Sequence, residues 1–112
     1  MTNRVTPTPY FISRAKRLMK KFATLEMSLL RLEQELLRNP TLGVSYGSNI
    51  YKVRLADVSK GKGKSGGFRI VTYLVKEDVH SVEIFLITIF DKSEEATIKK
   101  EQVKKLVQSL GL

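Results

Sequence analysis

Residues 68–90 read FRIVTYLVKEDVHSVEIFLITIF. Phe68 to Lys76 is a run of β-branched and aromatic residues, and Glu77-Asp78 begins a turn. Ser81 to Phe90 is then a further strand, with His80 in the turn between the two. The Ile84–Phe90 part is apolar on both faces, so this strand belongs inside a sheet rather than at its rim. Just upstream, Tyr51, Val53 and Leu55 alternate with Lys52 and Arg54, the period of a half-buried strand. Three such runs in succession predict an antiparallel meander.

Working outward, the period changes. Phe11, Ala15, Leu18, Met19 and Phe22 recur at helical spacing between Tyr10 and Phe22. Leu25, Leu29, Leu32 and Leu36 make the stripe of a second helix, about Thr24 to Arg38, which Asn39-Pro40 stops. A last helix, about Lys99 to Leu110, buries Val103, Leu106, Val107 and Leu110, and Gly111 suits its end. Pro7 and Pro9 allow at most a short edge strand around Arg4–Thr6. Leu42 to Asn49 reads as a Gly-rich loop and Asp91 to Thr97 as a polar one. The expectation is an α+β fold, one domain over residues 1–112. Two N-terminal helices pack on a small antiparallel sheet of three to four strands, a C-terminal helix follows, and one sheet face stays open to a partner.

The 112 residues hold 20 Lys+Arg against 11 Asp+Glu, a formal charge of +9, with 42% hydrophobic residues. A globular domain this basic points to a polyanion, nucleic acid first. There is no cysteine and a single histidine, so disulfides, thiolate chemistry and a histidine metal cluster are not expected. No cofactor is called for. The longest apolar run is too short for a bilayer, and no signal pattern opens the chain; a cytoplasmic protein without membrane contact is expected.

The cations are unevenly placed. Between residues 50 and 76 there are seven Lys/Arg and one acid, Asp57. Lys52 and Arg54 share one strand face, and Arg69 lies early in the next strand, on the face of Val71 and Tyr73. Lys60, Lys62 and Lys64 sit in a Gly/Ser-rich loop suited to a phosphate backbone. Its Gly63-Lys64-Ser65 imitates a nucleotide-binding loop, but Val58 stands where the first glycine should be and a strand follows instead of a helix. For the loop lysines a solvated hairpin is an equally good reading, and for any single strand cation a solvated sheet face is slightly the better one; the set as a whole favours a nucleic-acid backbone, with Tyr73 or Phe68 available to stack a base. Arg14, Lys16, Arg17, Lys20 and Lys21 on the first helix, and the lysines of the last, read as solvated faces. Asp57, Asp91 and Glu94 are scattered in loops, with no acid–base pairing.

Three segments resemble one family. They are Ile50-Tyr51-Lys52-Val53-Arg54-Leu55, Gly61 to Ile70 with its K-G-K-S-G-G-x-R string, and Phe85 to Glu94 with its D-K-S-E string. The chain resembles the RelE/ParE superfamily of bacterial toxins, on the RelE/HigB-like side. The resemblance implies a type II toxin, a ribosome-dependent endoribonuclease (mRNA interferase) that cuts mRNA in the 30S A site. It implies a cognate antitoxin that holds it inactive, with promoter DNA bound only through the antitoxin complex. It assigns the catalytic cations to Lys52, Arg54, Arg69 and Lys92, and leaves Lys60, Lys62, Lys64 and Tyr73 to RNA binding. A tyrosine that some members carry near the last helix has no counterpart; Ile98 stands there. A ParE-like gyrase poison, acting by protein contact, and a decayed homologue are the alternatives.

The chemistry fits these residue types. The 2′-hydroxyl of RNA is its own nucleophile, so the protein need only position the backbone, move protons and stabilise charge on phosphorus. Arginine stays charged and suits a phosphate clamp at Arg54 and Arg69. A lysine crowded by like charges becomes a better proton carrier near neutral pH, a part open to Lys52 or Lys92.

Overall fold

A computed structural model describes the chain over residues 2–61, 67–97 and 99–111, and its side chains except at 60 and 95–97. Strand β1 (Thr2–Pro7) leads into helix α1 (Pro9–Lys21) and helix α2 (Leu25–Arg38). Strands β2 (Val44–Ser45), β3 (Ile50–Leu55), β4 (Phe68–Lys76) and β5 (Ser81–Asp91) follow, then helix α3 (Lys100–Ser109). The sheet order is β1-β5-β4-β3-β2. The two helices carry the chain from one edge to the other, and the meander brings it back beside its start. β1 therefore pairs parallel to β5, while the other pairs are antiparallel.

Five strands stand where three to four were expected. β1 runs longer than its prolines suggested because Pro7 sits at its last position, on a sheet edge, where a missing N–H breaks no ladder. β2 is only two residues long, too short to show a period inside a Gly-rich loop.

Thr8 starts α1. Its Oγ1 accepts from the Phe11 N–H at 3.2 Å and donates to the Leu86 carbonyl at 2.8 Å, tying the helix cap to β5. Phe11 and Ala15 of α1, and Leu25, Leu32 and Leu36 of α2, then bury against Val53, Leu55, Phe68, Ile70, Leu74, Ile84 and Ile89. Phe22, in the joint between the helices, meets the Phe68 ring edge-on at 5.2 Å.

The opposite sheet face is not left open. Val103 and Val107 of α3 pack there on Ile50, Val71, Ile87 and Phe90, with Tyr46, Tyr73, Phe85, Leu106 and Leu110 around them. This second core explains why β5 is apolar on both sides. A bulge between Val71/Thr72 and β5 helps: Val71 pairs with Thr88 and Thr72 with Leu86, so Ile87 is the extra residue. No helix among the described residues is long and apolar enough to cross a membrane.

Candidate nucleic-acid interface

The face under α3 is built in rows across the strands. Arg54 of β3 stands opposite Arg69 of β4, which stands opposite Phe90 of β5. The next row is Val44, Lys52, Val71 and Thr88; the one beyond runs through Ile50, Tyr73 and Phe85. The strand period places Lys52, Arg54 and Arg69 on one face. Lys52, Arg54 and Arg69 therefore occupy neighbouring positions of two paired strands.

Their exposure differs. Arg54 is exposed and Lys52 half-buried, but Arg69 retains only 2% of its surface. One of its Nη1 protons goes to the Phe68 carbonyl at 3.2 Å. Directly opposed like charges cost stability in a sheet, and the Arg54–Arg69 pairing sets two guanidinium-bearing residues side by side on this face.

Lys92 follows β5 as the first residue of a 3-10 turn, Lys92–Thr97, and is exposed. Its backbone N–H donates to Gly67 O at 3.1 Å, which fixes it beside the start of β4, near Arg69. Gly67 is needed there: a Cβ would lie 1.9 Å from Leu55 O. Asp91 and Glu94 shape this turn. Asp91 Oδ1 accepts from the Ser93 N–H at 3.0 Å, and Glu94 Oε1 from the Asp91 N–H at 3.4 Å.

The loop after β3 is held by Asp57. Its buried carboxylate accepts from Thr24 Oγ1 at 2.7 Å, from Ser28 Oγ, and from both the N–H and hydroxyl of Ser59. Burial pushes its pKa up, but the hydrogen bonds from Ser28, Ser59 and Thr24 outweigh it and leave the group below its ordinary value. This clamp joins the start of α2 to the 3-10 turn Val58–Lys60, and so anchors the root of the basic loop. Lys60 closes that turn. Lys62 and Lys64 lie outside the described residues, as does Ile98. Tyr73 is half-buried in the second core.

Two residues outside the cation row bear on it without being marked as such by the sequence. Arg14 reads as one more cation on a solvated helix, yet it turns inward. Its Nε donates to Ile89 O at 3.1 Å and its Nη2 lies 3.8 Å from Glu94 Oε2, linking α1 to the turn that carries Lys92. Tyr46 sits in the Gly-rich loop, and its ring lies 5.2 Å from the Lys52 Nζ. A lone aromatic just before a strand was the available signal. Among the described residues, no three His, Cys, Asp or Glu side chains are grouped to hold a metal ion.

No family model matches the chain. Among solved structures it is similar to the toxin RelE of E. coli, seen in its free state as a double arginine-to-alanine mutant. Identity is 22%, the match covers 94% of this chain and 98% of that one, and the TM-score is 0.58. The two-helix layer, the meander and the closing helix therefore make a RelE-like fold.

Proposed function

We propose that this chain is the toxin of a type II toxin–antitoxin system, a single-domain endoribonuclease that cuts mRNA in the ribosomal A site and so stops translation. The observation that carries the reading is the row of Lys52, Arg54 and Arg69 on one sheet face, with Lys92 at its end, in a RelE-like fold.

The reaction needs little from the protein. The 2′-oxygen attacks the neighbouring phosphorus, the bond to the 5′-oxygen breaks, and a cyclic phosphate and a 5′-hydroxyl result. Arg54 clamps a phosphate oxygen, and Arg69, desolvated behind it, adds a fixed positive charge at the transition state. Lys52 and Lys92 flank them as proton carriers and further cations. The loop of Lys60, Lys62 and Lys64 holds the flanking backbone. Because the cluster includes no strong base, the ribosome must supply the substrate geometry. No cofactor enters this scheme.

The ribosome and mRNA are then the working partners, in the cytoplasm. A cognate antitoxin restrains the enzyme and carries any promoter binding. An apolar cleft of about 240 Å³ between α1 and α2, lined by Phe11, Ile12, Met19, Leu29 and Leu30, offers such a partner a seat. Expression in a host without the antitoxin tests the reading: growth arrest with mRNA cut inside codons is expected, and lost in folded Arg54→Ala and Lys92→Ala. Arrest with intact mRNA and damaged DNA would instead point to a gyrase poison.

A further inference from the structure

The aromatic ring beside Lys52 is not accounted for by the cation cluster. Tyr46 follows β2, and its N–H donates to Ile50 O at 2.8 Å. The strand period then puts its ring on the cationic face, diagonal to Lys52 across the β2–β3 ladder. There the Lys52 Nζ lies 5.2 Å from the ring centroid.

Both members of this pair are held from behind. The turn after Tyr46 is tight, with Gly47, Ser48 and Asn49 all at positive φ (79°, 54° and 62°). Ile50 N–H bonds to Gly47 O and Leu74 N–H to Asn49 O, each at 3.0 Å, which locks that unusual backbone. The ring itself packs on the second core. Behind Lys52, Gly43 comes so close that a Cβ would sit 2.4 Å from Lys52 O. A flexible lysine chain thus starts from a fixed backbone and ends against a fixed ring.

A ring face attracts an ammonium and not a neutral amine. Neighbouring arginines act the other way, favouring the amine. Arg54 is two residues along the same strand face, and Arg69 is opposite it.

We propose that Tyr46 is a positioning residue of the site: it keeps Lys52 protonated and aimed, which makes Lys52 the general acid. The inference rests on the RNA-cleaving reading above. In this step the 2′-oxygen bonds to phosphorus and the P–O5′ bond breaks. The electron pair goes to the 5′-oxygen, which takes a proton from the Lys52 ammonium. The 2′-hydroxyl proton passes to water, and Lys52 recovers its own from water after product leaves.

The test uses the purified full-length chain with programmed ribosomes, comparing wild type, Tyr46→Phe and Tyr46→Ala. Tyr46→Ala is expected to lower kcat about tenfold or more with KM little changed, as for a general acid no longer aimed at the leaving oxygen. Its alkaline limb of activity moves to lower pH, because the ammonium is lost sooner. Tyr46→Phe keeps the ring and restores both. In 13C-lysine-labelled protein, the Lys52 ε-methylene shows a ring-current shift in wild type and Tyr46→Phe that vanishes in Tyr46→Ala. A role in folding alone would lower thermal stability without moving the pH limb. Wild type that cuts, with Tyr46→Ala equal to it in kcat and pH limb, overturns this inference alone. Wild type that cuts nothing overturns the nuclease reading, and this inference with it.

Discussion

Arg54 and Arg69 stand directly opposite each other across the β3–β4 ladder, one exposed and the other 2% exposed. A sheet gains nothing from facing two guanidinium groups, so their two effects on the molecule should separate. Arg54→Ala is expected to leave stability unchanged or raise it by up to about 1 kcal/mol in urea melts. The same change should lower cleavage by about a hundredfold or more, through a lost clamp on the phosphate. Arg69→Ala removes a large buried side chain and should cost about 2–4 kcal/mol, so Arg69→Lys is the fairer test of its charge.

Asp57 makes stability depend on pH in one direction. Its hydrogen bonds hold the folded pKa below the ordinary value of 3.8. The contribution is therefore full above that value and is lost as pH falls through the lower, folded one. Asp57→Asn should destabilise the chain by about 2–3 kcal/mol at pH 7, for hydrogen bonds to a charged acceptor. Chemical denaturation from pH 7 down to pH 3 should show the gap between wild type and variant closing at the acid end.

The Thr8 hydroxyl serves two elements at once, accepting from the α1 backbone and donating to β5. Thr8→Ala should cost about 1–2 kcal/mol, as for a strong helix cap. Thr8→Ser should recover most of it, since only the hydroxyl is used. Thermal melts of the three proteins decide.

Gly67 has no room for a methyl group, because Leu55 O occupies its place. Gly67→Ala must push β3 and β4 apart where Arg54 meets Arg69 and where Lys92 is hung. A loss of about 2 kcal/mol or more is expected, together with a fall in activity larger than that of an equally destabilised Thr8→Ala protein. Parallel melts and cleavage assays make the comparison.

The meander and the first two helices were legible because their hydrophobic periods are clean: Tyr51/Val53/Leu55 in two, Leu25/Leu32/Leu36 in helical steps. The parallel β1–β5 pairing was not, since a strand partner 79 residues away leaves no local trace. Nor was the seating of α3 on the cationic face. Its stripe of Val103, Leu106 and Val107 shows that it packs but not against which side of the sheet, and the two-sided apolarity of β5 was the clue. Within the site, alternation was enough to put Lys52 and Arg54 on one strand face, but the register that sets Arg69 opposite Arg54 was not legible. Burial of Arg69 depends on the packing around the β3–β4–β5 row, and the place of Tyr46 on a two-residue edge strand. Both are tertiary facts with no period to read.

The central claim is that these cations cut mRNA on the ribosome, and one assay tests it most directly. Purified, folded chain free of antitoxin is mixed with mRNA, with and without programmed ribosomes, and the ends are mapped. Cuts within the A-site codon only in the presence of ribosomes, absent in Arg54→Ala, are the expected result. Intact mRNA in both mixtures would contradict the account.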